Sequence, residues 1–126
     1  MSEVSPPQDT PEEDLAGTLR RHGIDLPEEQ IEALDRYRQL LWDWNEKLNL
    51  TRHATLEKFV TRDVVDSLAF SGYLAEGEDV LDVGTGGGVP GVLLAIVRPD
   101  ISVSLCESVA KKARAVEDIL TRLRVE

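Results

Sequence analysis

Apolar residues Ile31, Leu34, Tyr37, Leu41, Trp44 and Leu48 recur every three or four positions, so a helix from near Pro27 to about Leu48 carries them along one face. Core packing is the plain account of that stripe, aromatics included. Upstream, "TPEE" reads as a helix start, with Thr10 as N-cap, Pro11 at the first helical position and Glu13 closing a capping box; Gly23 suits that helix's end. Met1 to Asp9 is polar and proline-bearing, and is expected to be disordered. Thr55 can cap a short helix through Phe59, and "DVVDSLAFSGYL" predicts another that ends near Gly72. After Glu76-Gly77-Glu78 the pattern changes. "DVLDV", Asp79 to Val83, is the short β-branched run of a buried parallel strand. "VPGVLLAIV" is helical, with Pro90 near its first turn and Pro99 beyond its end. "ISVSLCE", Ile101 to Glu107, alternates like a strand, and from Val109 "VAKKARAVEDILTRLRV" returns to helical spacing.

This order divides the chain into a tail (1–9), a helical region (10–76) and an α/β region (77–126). Strand, glycine turn, helix, strand, acid and helix make the first half of a Rossmann-like sheet. In the turn, "LDVGTGGGVPG", glycine permits positive φ and lets a ligand approach the backbone with no Cβ in the way, while the following helix offers unpaired N–H groups. Glu107, at the end of the second strand, stands where such folds hold an acid that accepts hydrogen bonds from both ribose hydroxyls. Together these features describe a nucleotide cradle.

Gly86, Gly88 and Gly91 satisfy G-x-G-x-x-G, which keeps a nicotinamide or flavin dinucleotide in play; a P-loop is excluded, because no Gly-Lys-Ser/Thr follows. Asp82, Gly84, Gly86 and Gly88 spell D-x-G-x-G-x-G, which resembles motif I of S-adenosylmethionine (SAM) methyltransferases. A carboxylate at the loop entrance favours SAM, whose sulfonium and ammonium it attracts, over a pyrophosphate, which it repels. The competing structural account has Asp82 merely capping a helix.

Charge and composition narrow the picture further. A net charge of -10 and a pI near 4.6 give no electrostatic footprint for nucleic acid. Lys111, Lys112 and Arg114 at the start of the last helix, and Arg52, Lys58 and Arg62 upstream, read as solvated surface, with phosphate contacts as the alternative. The single cysteine, Cys106, excludes an intramolecular disulfide and leaves no partners for a zinc site. His22 and His53 lack metal-ligand spacing, and surface or capping roles are their default. No apolar stretch approaches the length of a membrane span and the start lacks a signal-peptide layout, so a cytoplasmic protein with no membrane and no metal is expected.

"LWDWNEKLNLT" (41–51), "RDVVDSL" (62–68) and "LDVGTGGGVPGVLLAIVRPD" (81–100), in that order, resemble the RsmG family, also called GidB. The resemblance covers about Leu34 to Glu126 and implies a bacterial SAM-dependent methyltransferase that acts on guanine N7 in 16S ribosomal RNA of the small subunit. By motif position, Gly84 and Val89 match family residues that contact SAM, and Glu107 matches the family acid after the second strand. The implied cofactor set is Asp82, Gly84, Gly86, Gly88, Val89 and Glu107. Asn49, Thr51, Arg62, Asp66 and Ser67 match the upstream signature, whose residues are implied to floor the cofactor pocket or position substrate. Two positions depart from the pattern: family members usually carry histidine where Asp63 stands and proline where Gly87 stands. Family chains also continue through further strands and helices, so a truncated frame or fragment with apolar sheet surface left open is expected, one that binds SAM weakly or fails to fold alone. An oxidoreductase that binds a nicotinamide dinucleotide and a non-catalytic remnant or interaction module are the other classes.

Overall fold

The structure, a computed structural model, describes residues 13–123. The expected tail, and the Thr10 cap with Pro11, lie outside those residues. Helix α1 (Leu15–Arg21) is capped instead by Asp14, whose carboxylate accepts from the Gly17 N–H at 2.9 Å. Its other end closes as the sequence predicts. Gly23, at φ +72°, donates to the Arg20 carbonyl (3.0 Å) and Ile24 to the Leu19 carbonyl (2.9 Å), the paired bonds of a Schellman motif, and Ile24 packs on the core.

Helix α2 (Glu28–Asn45) buries Leu34, Tyr37 and Leu41 of the predicted stripe. It stops short of Leu48 because the Asn45 side chain accepts the N–H groups of Leu50 (2.8 Å) and Thr51 (2.9 Å) and turns the chain back. The two helices predicted downstream are one continuous run. Thr55 caps α3 (Leu56–Lys58) as expected, a π-helical segment follows over Phe59–Val64, and α4 (Val65–Ser71) completes it. Phe59, Val60, Asp63 and Val64 lie on one buried side, continuous with Leu56 before them and Ser67 after.

Strands β1 (Asp79–Val83) and β2 (Ser102–Cys106) pair in parallel, with Asp79 opposite Ser102 and Val83 opposite Cys106. Helix α5 (Gly91–Val97) crosses between them and packs on both the sheet and α2; α6 (Ala110–Leu123) packs on α2. Pro90 sits at the N-cap of α5, beside its first turn as the sequence predicts, after a cis Val89–Pro90 peptide. The expected buried strand is covered on one side only. Leu81 and Val83 are 64% and 70% exposed, since among the described residues nothing packs on that face of β1. On the covered side one apolar cluster joins Leu15 and Leu19 of α1, Leu34, Tyr37 and Leu41 of α2, Phe59 and Val64, Val92 and Ile96 of α5, and Ile119 of α6. Arg98 ties the end of α5 to the end of α4: its guanidinium grips Asp100 through two 2.8 Å bonds and donates to the carbonyls of Ser71 (2.9 Å) and Ala75 (3.2 Å).

Candidate functional site

The glycine loop leaves the end of β1 beside the end of β2, held there by the Gly84 N–H on the Cys106 carbonyl at 2.7 Å. Its glycines fall into two groups. At Gly84 (φ +71°) and Gly86 (φ +64°) a Cβ would meet nothing within 4 Å, so left-handed backbone is the internal requirement and open space lies above it. Gly87, Gly88 and Gly91 are packed from within. A Cβ on Gly87 would stand 2.8 Å from Leu41 Cδ1, one on Gly88 2.7 Å from Val92 Cγ2, and one on Gly91 would overlap the Leu105 side chain. From α2, the buried Tyr37 hydroxyl donates to the Gly87 carbonyl at 2.7 Å, and burial pushes that phenol far above its ordinary pKa.

Asp82 closes the loop on itself. Its Oδ2 accepts from the Thr85 hydroxyl (2.6 Å) and from the Gly91 N–H (3.1 Å) at the start of α5, while the Val92 N–H reaches the Gly88 carbonyl at 2.6 Å. The helix N-terminus expected to present free donors therefore has these two satisfied by the protein, because a carboxylate sits against it. Capping by Asp82, weighed in the sequence as the competing account, is realised in the fold.

Glu107 lies against the loop from the end of β2. Its Oε1 accepts from the Gly86 N–H at 2.8 Å and its Oε2 from the Val109 N–H at 2.9 Å, and these backbone bonds hold its pKa below the usual carboxylate range. Each carboxylate oxygen has a second lone pair, so both can accept another hydrogen bond. Val89 is half-buried against the core and lines a cavity of about 290 Å³ beside the loop, with Leu41, Leu50, Thr51, Arg52, His53, Asp63, Thr85, Gly86 and Gly87. A cavity of about 520 Å³ between α1 and α2 is larger but shares no residue with the loop.

His53 is not the isolated surface residue its sequence position suggests. Its Nδ1 lies 2.7 Å from Asp63 Oδ1, and its backbone N–H is held by the Thr51 hydroxyl at 2.9 Å. Burial raises the Asp63 pKa against the opposing pull of His53. His22 is also paired, its Nε2 lying 2.9 Å from Glu57 Oε2. Nothing local in the sequence signals the His53–Asp63 pair, because the two sit on separate sides of the Thr55 cap.

A sequence model of the GidB family, described as rRNA small subunit methyltransferase G, matches residues 30–126. The chain belongs to the GidB family. It is 47% identical over 107 residues to "Ribosomal RNA small subunit methyltransferase G" of Rhodopirellula baltica, covering 85% of this chain and 46% of that one. The protein of the same name from Chromobacterium violaceum is 40% identical over 110 residues, covering 87% and 53%, and that from Desulfitobacterium hafniense 37% over 115, covering 90% and 48%. The chain spans about half the length of the curated relatives it matches. Its small parallel sheet with flanking helices is a partial Rossmann-like methyltransferase fold.

The GidB match takes in the helical region from residue 30 onward together with the loop. Of the upstream signature, Thr51 lines the cavity, Ser67 is buried, and Asn49, Arg62 and Asp66 are exposed. Where the family usually has histidine, this chain has Asp63 with the His53 imidazole against it. Among the described residues no group of His, Cys, Asp and Glu could hold a metal ion, and no helix is long and apolar enough to cross a membrane.

Proposed function

We propose that this chain carries the cofactor cleft of a SAM-dependent methyltransferase that modifies guanine N7 in 16S ribosomal RNA of the small subunit, in the cytoplasm. The observation that carries the reading is Glu107 anchored at 2.8 Å to Gly86 beside the open backbone of Gly84 and Gly86. A ribose laid on that backbone finds the spare lone pairs of both Glu107 oxygens, one for each hydroxyl. Gly84 and Gly86 admit the ligand, Gly88 and Asp82 fix the shape of the loop beneath it, and Val89 supplies an apolar wall. Asp82 also argues for this ligand over a dinucleotide. Its charge already occupies the N-terminus of α5, where a pyrophosphate would be repelled and a sulfonium attracted.

SAM, when bound, supplies a methyl group on a cationic sulfur. Guanine N7 has an exposed lone pair and loses no proton on methylation, so no general base is required of the chain, and we assign no catalytic residue. What the chain must do is hold N7, methyl carbon and sulfur in line, which is catalysis by proximity and orientation. Exposed Lys111 and Arg114 on α6 are candidates for phosphate contacts, whose affinity falls steeply with salt.

Ligand-induced thermal shifts test the reading directly. SAM is expected to raise the melting temperature of the chain and NADH is not; Glu107→Ala should abolish the SAM shift. Tritiated methyl from SAM is expected in 7-methylguanosine of small ribosomal subunits. Protection by NADH, or by neither ligand, would overturn the proposal.

A further inference from the structure

We propose that the cavity beside the glycine loop receives an α-amino-acid group, with Asp63 taking its ammonium and Arg52 its carboxylate. On the SAM reading, on which this rests, that group is the methionine end of the cofactor. Asp63 is only 5% exposed and lines the cavity; its Oδ1 is fixed by His53, and its buried Oδ2 has no hydrogen-bond partner among the described residues. A buried carboxylate with an open acceptor is costly to leave unmatched and takes a charge-assisted bond from an ammonium as its strongest complement. Arg52, exposed at the same cavity, offers the opposite charge. An acid and a guanidinium on one small cavity match a zwitterion and suit neither a lone anion nor a lone cation.

The walls fit the rest of the group. Leu41, Leu50 and Val89 are apolar and suit a methylene stem, while Thr85 to Gly87 bring the loop itself to the cavity. About 290 Å³ lies at the low end for ligand pockets, enough for one part of a cofactor but not for all of it. Gly86 is shared: it lines this cavity and donates to Glu107. A sugar at Glu107 and an amino-acid group at Asp63 would thus lie to either side of Gly86, as adjoining parts of one ligand do. His53 acts as a positioning residue, holding Asp63 in place while itself anchored by Thr51.

Calorimetric titration of the whole chain separates this inference from the reading beneath it. Three probes are used: SAM, S-adenosylhomocysteine, and 5′-methylthioadenosine, which keeps the adenosine and sulfur but lacks the amino-acid end. Asp63→Asn and Arg52→Ala should each weaken SAM and S-adenosylhomocysteine about tenfold and leave 5′-methylthioadenosine unchanged. Because Arg52 is exposed, its variant keeps the test alive if Asp63→Asn fails to fold. Unchanged SAM binding in a folded variant, or equal weakening of all three probes, overturns the assignment while leaving the SAM reading intact. If none of the three binds the unaltered chain, the SAM reading fails and takes this one with it.

Discussion

Alanine at Gly86 and at Gly91 should damage different properties of the protein. At Gly86 the new methyl meets nothing within 4 Å, so the cost comes from holding alanine at φ +64°, about 1 kcal/mol. At Gly91 the backbone is not left-handed, but the methyl would overlap Leu105 and lie 2.8 Å from Asp82 Oδ2, the atom that caps α5. Overpacking of that kind costs about 1–3 kcal/mol. For a domain of this size 1 kcal/mol moves the melting temperature by roughly 4 °C, so Gly86→Ala should melt about 4 °C low and Gly91→Ala up to about 12 °C low. Affinity should follow the opposite order. The Gly86 methyl stands in the open crevice where the ligand backbone contact is proposed, so SAM binding should fall at least tenfold; the Gly91 methyl points inward and should cost less affinity. Melting curves with and without SAM, with calorimetric titration of each variant, measure both quantities. Normal SAM affinity in Gly86→Ala would refute the idea that a ligand lies on that backbone.

Tyr37→Phe removes the only described donor to the Gly87 carbonyl and leaves it buried, so stability should fall by about 1–3 kcal/mol in urea denaturation; an unchanged midpoint would show that α2 does not hold the loop. Acid should destabilise the chain. Glu13, Glu57, Asp100, Glu107 and Asp118 all have pKa values lowered in the folded state by arginine, tryptophan or backbone donors, so their contributions are present above the unfolded carboxylate range and lost as pH falls through the folded values. Asp63 has the opposite sign: its raised value means that stability falls as pH rises between its unfolded and folded pKa values. The melting temperature should therefore drop as pH is lowered from 6 towards 3, and more steeply in Asp63→Asn; a flat profile would contradict the hydrogen-bond assignments.

Helices were legible because burial imposes period on sequence, and strands because β-branched and apolar runs mark them even where, as at Leu81 and Val83, the residues are exposed. Leu34, Tyr37 and Leu41 announce one buried helix face, and the run from Asp79 to Val83 announces a strand. The Gly23 end of α1 was legible because only glycine takes that φ cheaply. The end of α2 was not, since it depends on the Asn45 side chain reaching Leu50 and Thr51, and periodicity does not register a side chain that competes for backbone donors. The π segment escaped for a different reason: its buried Phe59, Val60, Asp63 and Val64 keep the three- and four-residue spacing of an α-helix, so periodicity does not separate the two. The spacing of Asp82, the glycines and Glu107 pointed to the turn at the ends of β1 and β2, where the structure brings Gly86 and Glu107 together. The inward packing of Gly87, Gly88 and Gly91 depended on Leu41, Leu50, Val92 and Leu105, two of which arrive from far upstream.

That dependence explains how the helical region enters the site. The loop has two faces, and only one is available to a ligand. Leu41 and Leu50 close on Gly87 from below, Tyr37 fixes its carbonyl, and Val92 closes on Gly88, so the inward face is set by α2, by the turn that follows it and by α5. With those contacts in place, Gly84 and Gly86 are left on the other side with open space above them. The same turn after α2 supplies Thr51, Arg52 and His53, and the π segment supplies Asp63 to the cavity alongside. A Rossmann-like strand and turn alone would present glycines on every side. Packed against these helices, the loop has one bare edge at Gly84 and Gly86 and one recess lined by Asp63 and Arg52 beside it, and the proposed placement of a sugar and an amino-acid group follows from that asymmetry.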